Sequence, residues 1–400
     1  MHETTQRLIC RVAFISLCVL PTIVLAGSVG WRVWPARYDA VLASIGLRVG
    51  ARIEVDQITT PKPGIWRAEG IRFCDPETAD LWASIDWLEF KRGTDTFVAK
   101  GGELQVVSSA AFKGAEQWLR NGLLTDIHAR FEQFSLARSG AKVTNWKTIE
   151  LLFSCNQTTG TELLIKQLNG AGRLYVNRDR QTSKPSTKLQ LNTGQGTIAY
   201  DWLPVANHQQ NTTAKFTGQL EATWSDSSQR IGMSGSLAGV SPTVLIGAPG
   251  GLSCEQGLTV VIEQLELLDG RIRELRAQID TNRGAVEPSF LLAAIRQLGC
   301  RATTELQRQW PQAGTADPVS PLPFDRLSLH IQLNQSGCWL SGSTLRGGLL
   351  ASGDKNLLLA PLSSHLSVTS LLQYVATNNQ ATLFADERSI KLANLLPLSF

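Results

Sequence analysis

The stretch 213-TAKFTGQLEATW-224 decides the fold class, because its residues alternate strictly between two chemical characters. One set contains the small or apolar residues Ala214, Phe216, Gly218, Leu220, Ala222 and Trp224, and the other contains the polar residues Thr213, Lys215, Thr217, Gln219, Glu221 and Thr223. A repeat of two residues is the period of a β-strand with one buried face and one solvated face. The stretch therefore predicts a half-buried strand.

The same alternation recurs along the chain. After the turn-like Ser225-Asp226-Ser227, apolar residues return at Ile231, Met233 and Leu237, which predicts an antiparallel hairpin. A further strand is predicted by the apolar positions Leu327, Leu329, Ile331 and Leu333, and Asp269-Gly270 is the strongest two-residue hairpin signal in the chain. We therefore predict a mainly β fold, in which an elongated, curled antiparallel sheet has one apolar, groove-like face.

Helices are expected to be few, short and placed as caps over the edges of the sheet. The candidates are residues 111–123, 288–298 and 364–377, and the second has a proline suited to its first position and a glycine after its last. The predicted organisation is an anchor or signal peptide at 1–36, the first part of a β-rich domain at 37–310, a proline-rich loop at 311–323, and a β-rich C-terminal part with a short helix at 324–400.

The N-terminus predicts export. Between Arg11 and Arg32 lie about twenty residues without a charge, which is long enough for one transmembrane helix. A cleaved signal peptide is the alternative, because Val24-Leu25-Ala26 would satisfy a small-residue cleavage rule. Either interpretation places the rest of the chain outside the cytoplasm, and the short tail before the apolar segment favours a cytoplasmic N-terminus.

Composition excludes several classes of function. The net charge of +4 is spread along the chain without a basic stripe, so nucleic-acid binding is not expected. The seven cysteines form no CxxC pair, and the five histidines show no ligand spacing, so we predict no metal site. Residues 194–199 match the pattern GxGxxA, but no helix is predicted to follow, so a dinucleotide cofactor is not expected either. No motif identifies a catalytic residue, and the chain is predicted not to be an enzyme.

Two segments near the N-terminus carry a resemblance to a known family. They are 37-RYDAVLASIGLRVGARIEVDQI-58 and 61-PKPGIWRAEGIRFCDPETADLWASIDWLEF-90, with turns at Pro63-Gly64 and Asp75-Pro76. Together with the preceding apolar segment, they resemble the start of the AsmA-like bacterial envelope proteins, which are related to the TamB and YhdP groups. Residues 267–299 and 324–342 also look like sheet and capping-helix units of that family.

The resemblance implies a single-pass protein of the bacterial inner membrane, with most of the chain in the periplasm and an apolar β-groove that binds or transfers lipid or supports envelope assembly. Its partners would be membrane lipids and possible envelope proteins. A lipid carrier must cover its cargo, since exposing an acyl chain of about sixteen carbons to water costs on the order of 13 kcal/mol. The residues expected to line the groove are Phe216, Leu220, Trp224, Ile231, Met233, Leu237, Leu327, Leu329, Ile331 and Leu333.

Two alternatives remain open from the sequence. The first is a membrane-tethered β-scaffold that holds a protein partner through its surface. The second is an exported enzyme acting on cell-wall polymers, which would need acidic residues clustered in a cleft.

Overall fold

The fold is described from a computed structural model. The structure describes residues 35–92, 96–107, 126–138, 141–156, 160–181, 184–200, 214–225, 228–242, 251–309, 320–344, 347–363 and 365–366, together with the single residues Thr22, Leu119 and Leu396. The described chain is mainly β, with a large open sheet that is antiparallel apart from one strand pair, and few helices.

The 22 strands found among these residues all belong to this one sheet. They are β1 (Arg52–Glu54), β2 (Gln57–Lys62), β3 (Ile65–Cys74), β4 (Leu81–Arg92), β5 (Thr96–Val106), β6 (Asp126–Arg138), β7 (Ala141–Asn156), β8 (Gly160–Gln167), β9 (Arg173–Asp179), β10 (Ser186–Asn192) and β11 (Ile198–Ala199). The second half contains β12 (Lys215–Ser225), β13 (Gln229–Val240), β14 (Leu252–Cys254), β15 (Leu258–Leu268), β16 (Arg271–Val286), β17 (Arg301–Ala302), β18 (Leu322–Asn334), β19 (Gly337–Gly342), β20 (Gly348–Ser352), β21 (Lys355–Leu359) and β22 (His365–Leu366).

Neighbouring strands in the sheet are mostly neighbours in the chain. Strands β1 and β2 lie end to end along β3 and form one edge. From β3 to β10 each strand pairs with the next one, and β10 and β11 together line β12. The order continues through β13, β15, β16 and β18. The other side of the sheet is formed by β17 and by β19 to β22. Short connections between consecutive strands favour this meander.

The hairpins predicted from alternation are confirmed. Strands β12 and β13 pair antiparallel with Phe216 opposite Leu237 and Leu220 opposite Met233. Asp269 and Gly270 join β15 to β16 with φ angles of 53° and 77°, the left-handed values that a type I′ turn requires. The GxGxxA match begins with a turn, and β11 follows it in place of a helix.

Residues 65–92 form a hairpin of β3 and β4, and the turn between these strands is capped by a side chain. Strand β3 ends at Cys74, and the Asp75 carboxylate then accepts hydrogen bonds from the backbone N–H groups of Glu77 and Thr78 at 2.8 and 2.9 Å. These bonds lower the pKa of Asp75. Strand β4 returns antiparallel along β3.

One strand pair departs from the predicted antiparallel pattern, because β5 and β6 run parallel with Phe97 opposite Ile127. A parallel pair needs a crossover connection, which is usually helical. Leu119 lies in this connection, is helical and is only 1% exposed. The other residues of the helix predicted at 111–123 lie outside the described residues.

Along a line that crosses several strands, the buried positions change from one alternating set of residues to the other. On β6, Ala129 and Phe131 are buried on one side of this line, and Phe134 and Leu136 on the other, within a single apolar cluster. The pairing with the neighbouring strand does not shift there. We call the line through Gly70, Gly102, Glu132 and Thr148 the crease. At Gly70 and Thr148 the φ angles are 63° and 51°, so the backbone itself changes which positions point inward.

Three helices are described: α1 (Pro35–Val49), α2 (Pro288–Leu298) and α3 (Thr304–Gln309). Helix α2 has the predicted bounds and ends at Gly299, whose φ of 69° gives the left-handed C-cap. The prediction of a helix from residue 364 is wrong at its start, because His365 and Leu366 pair with β19 as a strand. The predicted loop at 311–323 ends early, since Leu322 and Pro323 already pair with β16.

Among the described residues, no helix combines the length and apolar character that a bilayer crossing requires. The predicted anchor or signal peptide at 1–36 lies almost entirely outside the described residues.

Candidate functional site: the apolar face of the sheet

The buried side chains of the sheet lie in three apolar clusters that adjoin one another along the chain. The first joins β3 to β11, the second β12 to β16, and the third β16 to β22 with helices α2 and α3. Leu189 and Leu191 pack against both the first and the second cluster, while Leu275 and Leu327 pack against both the second and the third. The apolar side chains of the sheet are therefore in continuous contact from one end to the other.

The structure brings the predicted groove residues to this face. Phe216, Leu220, Ile231, Met233 and Leu237 are buried in the second cluster, Trp224 packs against it, Leu333 is buried in the third cluster, Leu329 and Ile331 pack against the third, and Leu327 packs against both. Cross-strand pairing places several of them directly opposite apolar partners, such as Leu329 opposite Ile279. Alternation in the sequence identified these positions because a strand period of two assigns every second side chain to one face.

Burial along this face is uneven. On β12 and β13 most of its side chains are almost fully covered, with Phe216 at 0% and Met233 at 5% exposure, although Trp224 is half-buried. On β16 and β18, in contrast, Ile279, Leu329 and Ile331 are only half-buried although they point to the same face. The half-buried side chains form an apolar stripe that solvent reaches.

A pair of glycines shapes the covered part of the face. Gly218 and Gly235 are directly opposite each other, with φ angles of 154° and 145°. A Cβ atom at Gly235 would lie 2.2 Å from the backbone oxygen of Thr217, so no larger residue fits there without moving backbone. A Cβ at Gly218 would also approach the Phe216 ring to 3.0 Å. Because neither glycine has a side chain, the two strands approach closely and the Phe216 ring has room to pack.

Sequence reasoning missed Trp146, the largest fully buried side chain of the first cluster. Its indole packs on Phe134, with ring centroids 5.3 Å apart. Cβ atoms built at Gly172 and Gly196 would lie 2.7 and 2.8 Å from its ring atoms. Both glycines belong to connections between strands, so this site depends on tertiary contacts that no local pattern indicates.

The cysteines of the described residues are free thiols. Burial raises the pKa of Cys300 and of Cys338 to about 11, and it also raises the pKa of Cys74 and of Cys254. A nucleophilic cysteine needs a lowered pKa, so these four thiols have the properties of packing residues. Within the described part of the chain, no group of three His, Cys, Asp or Glu side chains could hold a metal ion.

The opposite, polar face carries an arrangement that the sequence did not indicate. Glu150 on β7 is 7% exposed, and its carboxylate contacts Lys166 Nζ at 2.7 Å, His128 Nε2 at 2.8 Å and Arg130 Nη2 at 3.4 Å. Hydrogen bonds from Lys166 and His128 lower its pKa to about 2, although burial acts in the other direction. One acid on one strand thus holds three basic side chains from two neighbouring strands.

Comparison of the chain with protein-family models, curated proteins and solved structures found no match. The resemblance to AsmA-like proteins therefore remains a prediction from the sequence. Assignment of function depends on the geometry of the two faces of the sheet.

Proposed function

We propose that this chain is a non-enzymatic, membrane-anchored protein of the bacterial envelope whose sheet curls into an elongated groove and binds the acyl chains of lipids along its apolar face. The observation that supports this most directly is the continuity of the apolar face through all three clusters. A lipid chain needs an uninterrupted apolar surface because each methylene left in water costs about 0.8 kcal/mol.

The architecture also supports the proposal. An apolar sheet face must be covered, and in sandwiches a second sheet covers it. Every strand of the described residues belongs to one sheet, so no separate sheet is available for this purpose there. In the proposed state, curling covers the side chains of β12 and β13, and the half-buried stripe on β16 and β18 remains accessible to an acyl chain.

The substitution Leu329→Asp tests the groove. Leu329 is half-buried, packs against the third cluster and lies opposite Ile279 and Gly342. A carboxylate at this position would put a charge into the surface that an acyl chain covers, which is strongly unfavourable without a partner. We expect phospholipid that co-purifies with the full chain, measured by mass spectrometry, to fall at least several-fold.

Gln332→Asp is the matched control, because Gln332 lies on the same strand but alternates with the apolar Ile331 and Leu333. Its partners in the neighbouring strands are Arg276 and Trp339. It should retain the lipid of the unmodified protein. Thermal unfolding of both variants shows whether each is folded. Unchanged lipid in folded Leu329→Asp, or equal loss in both variants, would contradict an apolar groove at β18.

A further inference from the structure

A row of charged side chains crosses the polar face of β3 to β9. Residues directly opposite one another in successive strands are Arg67, Glu89, Lys100, Arg130, Glu150, Lys166 and Arg173. Like charges therefore face each other twice, at Lys100 with Arg130 and at Lys166 with Arg173. Such pairs destabilise a sheet when nothing compensates them.

The acids of this row compensate only part of its positive charge. Glu150 contacts Arg130 and Lys166, and Glu89 contacts Arg67 at 3.4 Å. Lys100 forms no ion pair with any residue that the structure describes, and its Nζ lies 5.9 Å from the centre of the Trp87 ring. Lys100 and Arg130 thus lie directly opposite each other in register, and the Lys100 ammonium has no anionic partner among the described residues.

A depression of about 570 Å³ lies at this point of the row. Its lining includes the basic residues Lys91, Lys100, His128 and Arg130, the acids Glu89 and Glu132, and the apolar residues Ile65 and Val98. Phe90, Ala99 and Phe131, which belong to or pack against the first apolar cluster, also contribute. Val98 is 51% exposed, so it presents an apolar surface to solvent within the depression. The volume lies within the range of sites for small ligands, roughly 300–1,000 Å³.

The basic groups of this depression are held in position. Glu150 fixes His128 and Arg130 through contacts of 2.8 and 3.4 Å, and its own side chain is only 9% exposed, whereas Arg130 is 63% exposed. A buried acid that orients exposed basic groups prepares them for an external anion, because less side-chain entropy is lost on binding. A guanidinium and an ammonium carried by directly opposite residues suit a phosphate group, which accepts several charge-assisted hydrogen bonds.

We propose that this depression binds a phosphate-bearing amphiphile, with its anionic group between Lys100 and Arg130 and its hydrocarbon part over Val98 and Ile65. Val98 and Lys100 alternate with the buried Ala99 on β5, and Arg130 alternates with the buried Ala129 and Phe131 on β6, so these binding residues lie on the face opposite the proposed acyl groove. They form a second site, independent of that function. The apolar side chains distinguish it from a site for the phosphate group alone.

Binding of hexyl phosphate and methyl phosphate to the full chain in nanodiscs of neutral phosphatidylcholine tests the proposal. Equilibrium dialysis against empty nanodiscs supplies the blank. We expect hexyl phosphate to bind the unmodified protein clearly more tightly than methyl phosphate. Lys100→Gln and Arg130→Gln should each weaken hexyl phosphate binding about tenfold, since each removes a charge-assisted hydrogen bond.

Three further variants distinguish this site from general electrostatic attraction. Lys188→Gln removes one positive charge from β10. Lys188 pairs with Glu221 outside the depression, so this variant should leave binding unchanged. Val98→Ser should weaken binding of hexyl phosphate but not of methyl phosphate. Leu329→Asp should affect neither probe, which separates this site from the proposed groove. Equal losses in Lys100→Gln and Lys188→Gln, or equal affinity for both probes, would overturn the proposal.

Discussion

At the scale of single residues, we expect Glu150 to stabilise the folded protein through its ion pairs. Its pKa is about 2 in the folded protein and roughly 4.3 in an unfolded chain, so its ion pairs stabilise the folded state above pH 4.3. This contribution decreases as the pH falls from about 4.5 towards 2, because the carboxylate is then protonated. We expect Glu150→Gln to lower the free energy of unfolding at pH 7 by about 1–2 kcal/mol, a value reduced by the solvent exposure of its three partners.

Urea unfolding of the full chain in detergent, at a series of pH values, measures this effect. The difference between Glu150→Gln and the unmodified protein should become smaller below about pH 4.5. Glu221→Gln is the control, because the Glu221 carboxylate is 53% exposed in its pair with Lys188 and should contribute less than about 1 kcal/mol. A stability difference at Glu150 that does not change with pH would contradict the ion-pair interpretation.

The sequence predicted the residues of one face far better than those of the other. Alternation assigns Phe216 or Leu329 to the apolar face without knowledge of the neighbouring strand. The charged row depends on register, since Lys100 and Arg130 come to lie opposite each other only through the parallel pairing of β5 with β6. Nothing local in the sequence indicates that register.

At the scale of elements, the hairpin of β12 and β13 depends on the close approach of Gly218 and Gly235. A methyl group at Gly235 would meet the backbone oxygen of Thr217 at 2.2 Å, and the φ of 145° is also unfavourable for other residues. Gly64 provides a control that separates these effects, because its φ is 78° but a Cβ atom there would have open space within 4 Å.

We expect Gly64→Ala to cost about 1 kcal/mol from backbone strain alone. Gly235→Ala should cost at least about 2 kcal/mol more, because the backbone of two strands must separate. Chemical denaturation of both variants gives the comparison. Equal destabilisation would show that the glycine pair is needed for its backbone conformation and not for close packing.

Elements with short local signals were predicted well, and those that depend on distant partners were not. The Asp269-Gly270 turn and the proline and glycine at the ends of α2 are encoded within a few residues. The parallel strand β6 follows a long connection, and β22 becomes a strand only by pairing with Cys338 and Trp339 on β19. At His365 and Leu366 this tertiary pairing therefore prevails over the predicted helix, whose remaining residues lie outside the described part of the chain.

At the scale of the whole molecule, alternation predicted a mainly β chain, but it could not show that all described strands join one sheet. The same pattern of apolar residues would also suit two sheets packed face to face. In this chain, the order of pairings from β3 to β18 produces a single sheet. The functional question is whether the apolar face of that sheet leaves room for a ligand.

Ala277 is the position at which this question has the clearest answer. It lies on β16 in the second cluster, opposite Ile262 on β15 and Ile331 on β18, and is 4% exposed. A phenylalanine there would add volume without adding a polar group. In a closed core this overpacking would cost about 1–3 kcal/mol. In the proposed groove the ring would extend over the half-buried Ile331 into space that is otherwise available to an acyl chain.

For the proposed groove, we therefore expect the free energy of unfolding of Ala277→Phe to stay within about 0.5 kcal/mol of that of the unmodified protein. The amount of phospholipid that co-purifies with the variant should fall several-fold. Mass spectrometry of bound lipid and denaturant unfolding of the same preparation provide the two measurements. Destabilisation without loss of lipid would mean that the side chains around Ala277 form a sealed interior, in which case lipid binding along the apolar face would have to be abandoned for this part of the sheet.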